Sequence, residues 1–330
     1  MSDRKNAAPV SGVSASGAVL RLIPPVLGLL LAVLYCLAMA RDFDFSIGHF
    51  AADSVPFRAA VILGILGAAV SLLAGVCLSG RTAFTGLASP GPLSFAAAAA
   101  GAVLSAALCV RTLLRYSADL AEETAESLSP TKLYLAAAVL GIFLSAALIL
   151  SLFREKRHRW YALICTLFGG LSVNVAMFAA YFDFSVPLNS PVRNFTTLCQ
   201  ASALLFLLSE ARLSLTREDV PGDLPTGFQT FASSACAVFC VGIGGGGAAW
   251  QLIRSLAFGS EILDKTPEPN LSFLRLALYL ALGLLAADRL LHTDLRRLSP
   301  EEIAENRRKA REEKERKKNA PADGDNSIDD

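Results

Sequence analysis

The chain has 330 residues, of which 53% are hydrophobic and only 18% charged, and its formal net charge is +1. It is too apolar for an ordinary soluble protein of this length, and its near-neutral charge gives no reason to expect a nucleic-acid partner. The apolar residues are grouped into eight runs, roughly 22–40, 59–79, 93–110, 133–153, 160–181, 195–215, 228–253 and 271–291, each near the ~20 residues needed to cross a bilayer. Runs such as Ala59–Gly75 have no polar face, which a soluble amphipathic helix would show.

The first run follows Arg4, Lys5 and Arg21 and ends at Ala38-Met39-Ala40, which has the look of a cleavable signal. An internal repeat argues for keeping it as a span. Phe43-Asp44-Phe45-Ser46, just beyond this run, returns 139 positions later as Phe182-Asp183-Phe184-Ser185, just beyond the fifth. At the same offset Arg115 matches Arg254, Ala118 matches Ala257, Glu122 matches Glu261 and Pro130 matches Pro269. Landmarks in conserved order mark a tandem duplication. The expected fold is therefore an all-α polytopic membrane protein, with about eight transmembrane helices in two tandem four-helix repeats of the same orientation. The halves should be related by a pseudo-two-fold axis along the membrane normal. The expected division is a disordered cytoplasmic N-terminus at 1–19, a first repeat at 20–153, a basic connector at 154–159, a second repeat at 160–292, a charged cytoplasmic helix at 293–318 and a disordered tail at 319–330.

Orientation rests on the distribution of Lys and Arg. The segments before the tail divide almost evenly between the two sides. The tie is broken by Arg154-Glu155-Lys156-Arg157-His158-Arg159, between the fourth and fifth runs, and by the basic tail from Arg296 to Lys318. Both termini are thus expected to be cytoplasmic, in a cell-membrane protein. The two Phe-Asp-Phe-Ser segments then lie on the outer face, with aromatic rings at the interface and Asp44 and Asp183 toward water.

Ser54 before Pro56 and Ser190 before Pro191 read as helix N-termini. Arg58 and Arg193 then fall in first turns, where the helix dipole disfavours a cation. Two such arginines would suit an anion-attracting vestibule, although snorkelling is the plainer reading. The third run continues as an amphipathic helical pattern through Arg111–Leu128, with Pro130 marking its end. Its counterpart at 252–263 ends before Pro267. Small residues at four-residue spacing, in Gly67-Ser71-Gly75, Ala97-Gly101-Ser105-Cys109 and Ala137-Gly141-Ser145, predict close helix packing.

Runs one to four contain almost no polar side chain at membrane depth, whereas the second half contains Asn174, Gln200, Glu210, Arg212, Gln251, Arg254, Asp288 and Arg289. Polar groups in hydrocarbon are costly and are usually paired or functional. Two cross-pairs are expected to join helices six and eight, Glu210 with Arg289 and Arg212 with Asp288, and a hydrogen bond is expected between Asn174 and Gln200. A pocket lined by Asn174, Gln200, Thr196 and Thr197 is the sharper alternative. Gly244-Gly245-Gly246-Gly247 in run seven implies either a broken helix or a very close contact, with close packing favoured.

All seven cysteines lie in apolar runs and read as packing residues. Cys236 and Cys240 share a helix face, but no neighbouring His or carboxylate completes a metal site. His49, His158 and His292 lie outside the runs, and HExxH, GxSxG, phosphate-loop and CxxC motifs are missing. No catalytic residue, cofactor or metal is expected. Ser299-Pro300-Glu301-Glu302 is a capping box opening a charged tail helix suited to anionic lipid or a partner protein. The duplicated halves and the polar second half favour a transporter or permease for a small solute. A non-catalytic scaffold or regulatory subunit is the alternative.

Overall fold

A computed structural model describes residues 15–44, 48–78, 82–87, 91–121, 128–152, 159–182, 190–215, 226–258 and 272–297, together with 299, 301–305, 308, 311–312 and 315 of the tail. Asp183, the connector at 154–158, and the segments 1–14 and 319–330 lie outside them. The elements in chain order are α1 (Ala15–Arg41), β1 (Phe43–Asp44), β2 (His49–Phe50), α2 (Val55–Leu78), β3 (Thr82–Leu87), α3 (Pro92–Ala121), α4 (Leu128–Leu150), α5 (Arg159–Tyr181), α6 (Pro191–Leu215), α7 (Thr226–Phe239), a π-turn (Cys240–Gly245), α8 (Gly246–Phe258), α9 (Phe273–His292) and β4 (Thr293–Arg297).

Among the described residues, six stretches are long and apolar enough to cross a bilayer: Val19–Arg41, Val55–Leu78, Pro92–Arg115, Lys132–Leu150, Trp160–Tyr181 and Gly227–Ala257. The chain is a helical membrane protein. The last of these stretches is the centre of the bundle, with 78% of its most apolar window buried against 33–44% in the other five. The remaining two long helices, α6 (25 residues) and α9 (20 residues), fall outside this set, and each carries three charged residues: Arg193, Glu210 and Arg212, and Arg275, Asp288 and Arg289.

Helix starts follow the sequence signals. Ser54 Oγ accepts the Phe57 amide at 3.2 Å and donates to Asp42 at 2.6 Å, so one hydroxyl both caps α2 and ties it to the end of α1. Ser54→Ala is expected to cost about 0.5–2 kcal/mol, typical of a lost cap, as measured by thermal unfolding in detergent. Ser190 precedes α6 as expected, but its hydroxyl donates to the Gly48 carbonyl at 2.9 Å instead of capping its own helix. Gly48 turns the chain between β1 and β2 at φ 68°, a left-handed conformation that glycine adopts without strain.

Several expectations need correction. The fold is all-α in class, as expected, but two short antiparallel pairings, β1 with β2 and β3 with β4, were not foreseen. Phe43 is half-buried. It begins an aromatic series, Phe43–Phe50 at 5.0 Å, Phe50–Phe57 at 4.2 Å, Phe57–Phe195 at 6.0 Å and Phe195–Tyr35 at 5.5 Å, that joins α1, α2 and α6. Helix α1 begins at Ala15, inside the segment expected to be disordered. Helix α3 does run on past a membrane's thickness, to Ala121, but Pro130 opens α4 instead of closing the preceding helix. Proline suits a first helical turn, where its missing N–H has no intrahelical partner to lose. The tail begins with strand β4, and its helical residues follow the reciprocal capping box of Ser299 and Glu302, with bonds of 2.8 and 3.2 Å.

The helix contacts among the described residues do not reproduce the expected pseudo-two-fold relation. The hairpin pairings α1–α2 and α3–α4 recur as α5–α6 and α7/α8–α9. The contacts between the halves do not: α1 packs against α7, the π-turn and α8, whereas α5 has no corresponding seat on α3 among the described residues. The glycines explain the difference. Gly242 and Gly246 admit α1, and Gly244 and Gly247 admit α9, while the positions 139 before Gly244–Gly247 are Ser105-Ala106-Ala107-Leu108. A Cβ on Gly246 would lie 2.5 Å from the Ala32 carbonyl oxygen, and one on Gly28 would lie 2.5 Å from that of Ala237.

The small-residue stripes pack closely, as expected. Gly67 and Gly75 of α2 meet Val238 and Phe231 of α7. On α3–α5 the serines of these faces bond across the interfaces: Ser105 donates to the Gly141 carbonyl at 2.8 Å, Ser145 to that of Ala102 at 2.9 Å and Ser172 to that of Ala137 at 2.6 Å.

Candidate functional site

The β3–β4 pairing brings together the N-terminus of α3 and the C-terminus of α9, and the largest charged cluster among the described residues lies beneath it. Arg289 and Glu210 face each other at 3.6 Å (Nε to Oε2), with side-chain exposures of 2% and 12%. This is the first of the two expected cross-pairs. Arg289 also donates to the Ser151 carbonyl at 3.4 Å, so a single guanidinium links α9, α6 and the end of α4.

The second cross-pair does not form. Asp288 is 1% exposed and accepts from Ser94 Oγ of α3, with His292 Nδ1 3.1 Å from its other oxygen. Arg212 is exposed. Two residues apart on α6, Glu210 and Arg212 point in different directions, and only Glu210 faces α9. A partner 194 positions away, on a helix assigned to the other repeat, gave no signal in the sequence. Ser94→Ala is expected to cost about 1–3 kcal/mol, the penalty for stripping a hydrogen bond from a buried acceptor. A thermal-shift comparison with wild type checks it.

A second polar group lies about 15 Å away along α6 and α9, ten residues at 1.5 Å each. Gln200, fully buried, donates from Nε2 to the Tyr279 hydroxyl at 3.2 Å. It does not meet Asn174, whose buried Oδ1 has no hydrogen-bond partner among the described residues. Thr196 and Thr197 donate to carbonyls of their own helix at 2.8–3.0 Å, so their hydroxyls are satisfied locally. Tyr279 and Arg275, one turn apart on α9, border a cavity of about 20 Å3 between α3, α4, α5 and α9. Arg275 is 5% exposed, with its guanidinium 4.9 Å from the centre of the Tyr134 ring. Arg275 lies within the eighth apolar run, 271–291, and was not among the residues singled out from the sequence.

Beside Gln200, the thiols of Cys199 and Cys240 approach to 3.6 Å, with Ser202 Oγ 3.5 Å from Cys240. This contact between α6 and the π-turn was also missed. All seven cysteines are free thiols, and among the described residues no group of three or more His, Cys, Asp or Glu side chains could hold a metal.

The remaining candidates are dispersed. Gln251 is fully buried on α8, and Arg254 lies 5.6 Å from the centre of the Trp250 ring. Arg58 is exposed and donates to the Ala52 carbonyl at 2.6 Å, whereas Arg193 is 6% exposed. The two arginines thus differ in exposure. Asp44 is exposed.

The fold and these groups define a helical membrane protein in which four of the five buried charged side chains among the described residues lie on α6 and α9, the fifth being Arg21 of α1. No family model matches the chain, and neither curated proteins nor solved structures give a match.

Proposed function

We propose that the chain is an eight-span, non-enzymatic protein of the cell membrane, with both termini cytoplasmic, that carries or conducts a small solute through the polar interior of its second half. The observation behind this is where the ionisable groups lie. Arg193, Arg275, Asp288 and Arg289 are 1–6% exposed and sit on α6 and α9, the two long helices least suited to face lipid. A charge in a membrane interior is costly and typically marks a pathway or a relay. Burial of α6 and α9 behind six apolar helices accounts for their polarity and supports counting them as spans: 25 and 20 residues reach about 37 and 30 Å. Tandem duplication is supported by helices of similar length at the 139-residue offset, diverged in packing through the glycines of the second half. The π-turn in the central helix adds to this reading, since such turns are frequent at functional sites.

The second reading is a scaffold or regulatory subunit, favoured by the glycine-mediated contact of α7 and α8 with α1 and α9, which leaves little freedom to move. The charged tail helix would then meet a partner protein or anionic lipid. No cofactor and no nucleic acid enters either reading.

Osmotic swelling of protein-loaded vesicles, followed by light scattering, separates the two. A panel of polyols, neutral amino acids, ammonium salts and alkali halides is compared with protein-free vesicles. Transport predicts accelerated swelling for at least one class, with that rate altered by Gln200→Ala. Rates equal to those of empty vesicles throughout would leave the scaffold standing.

A further inference from the structure

We infer that the solute route runs along the seam between α6 and α7, and that its passenger is a small uncharged molecule able to hydrogen-bond, such as water or a polyol. The inference rests on the transport reading above and adds to it a path and a substrate class.

Two stripes of small polar side chains mark the seam. On α7 and the start of the π-turn, Gln229, Ser233, Cys236 and Cys240 recur at helical spacing and share one face. On α6, Cys199, Ser202 and Ser209 follow the same rule. The faces meet where Cys199 Sγ lies 3.6 Å and Ser202 Oγ 3.5 Å from Cys240 Sγ. This contact joins the early part of α6 to the residue just past α7. The helices are therefore antiparallel, and Ser209 falls toward Ser233 and Gln229.

Small residues can serve close packing alone, as on α3–α5, where serines bond across the interfaces. Two features set this seam apart. Ser202 and Ser209 donate to carbonyls of α6 itself, at 2.8 and 2.7 Å, so neither gives its proton to the neighbouring helix. Two buried amides also carry an atom with no hydrogen-bond partner among the described residues. They are Gln229, 6% exposed, at Nε2, and Gln200, next to Cys199 in the chain and fully buried, at Oε1. Unpaired buried amide atoms are costly, and a guest that accepts from one and donates to the other relieves both.

Charge selects the class of guest. Helix α7 has no charged residue, and Glu210 of α6 faces Arg289. An ion in the seam would lose its hydration without gaining a countercharge, whereas a neutral hydroxyl exchanges water for serine and amide. Phe206, fully buried on α6 between Ser202 and Ser209, interrupts the polar line and closes it.

The test labels the full chain in vesicles with methyl methanethiosulfonate, a small neutral thiol reagent, and reads each cysteine by mass spectrometry. Cys199, Cys236 and Cys240 are 0–1% exposed and Cys109 of α3 is 4% exposed, so a rigid dry bundle would protect all four alike. The seam thiols are expected to react at least about tenfold faster than Cys109, since thiol reactivity follows access, and excess glycerol is expected to slow them alone. Phe206→Ala should speed both their labelling and glycerol-driven swelling; wild-type labelling decides the route if that variant does not fold. Seam thiols as unreactive as Cys109, beside swelling driven by any solute, would overturn the route and spare the transport reading. Reactive seam thiols beside swelling equal to that of empty vesicles would overturn transport, and the substrate class with it. Swelling by salts and not by polyols would overturn the substrate class alone.

Discussion

Replacing Gly246 with alanine is expected to abolish most of the folded protein, although on helix propensity alone the change should help. Alanine is favoured over glycine by about 1 kcal/mol in a helix interior. Here the added methyl would lie 2.5 Å from the Ala32 carbonyl oxygen and 3.1 Å from the Ala32 Cα, and a backbone cannot turn aside as a long side chain can. Helix α1 must back away from the central helix along their whole contact. Overpacking of a well-filled core usually costs about 1–3 kcal/mol, and a clash with main chain belongs at or above the top of that range. Gly64→Ala is the matched control: the nearest atom to a new Cβ there is a Phe239 ring carbon at 3.8 Å, so the propensity gain should survive. Fluorescence-detected size-exclusion chromatography of the two variants after mild heating reads the contrast. Equal recovery of monodisperse Gly246→Ala and Gly64→Ala would show that α1 does not lie against the central helix as described.

The second large effect is expected at Arg289. Replacing this 2%-exposed guanidinium with leucine leaves the Glu210 carboxylate facing an apolar surface and strips a donor from the Ser151 carbonyl. Removing one partner of a buried pair typically costs about 3–5 kcal/mol, most of it from the stranded charge. Arg289→Leu should therefore be severely destabilised, while Glu210→Leu with Arg289→Leu should recover much of the loss, because the stranded charge is gone. A double-mutant cycle on melting temperature tests this. Additive losses would mean that the two side chains do not act as a pair.

The sequence conveyed what depends on local pattern. Apolar runs of span length, the Ser54 cap, the box at Ser299 and Glu302, and the small-residue stripes each follow from chemistry within a few residues. Glu210 with Arg289 was also legible, because both helices run the same way and each carries one ionisable group at matching depth. What remained hidden depends on which helices become neighbours. Ser94 with Asp288, Cys199 with Cys240 and Gln200 with Tyr279 are three contacts between helices that no spacing rule connects. The repeat pointed to the hairpin pairings and not to the contacts between the halves, where Gly242 and Gly246 lie against Leu31 and Ala32 of α1 and the positions 139 earlier are Val103 and Ala107.

The pairing of β3 with β4 has a consequence for how the molecule comes to exist. Residues 82–87 emerge early from the ribosome, yet the backbone groups that will satisfy them belong to 293–297, made after every long helix. Between those moments the nascent polypeptide has to keep a peptide edge available through more than two hundred further additions. Assembly therefore finishes like a necklace being fastened, when the strand that follows the last long helix returns to hook onto the one between α2 and α3.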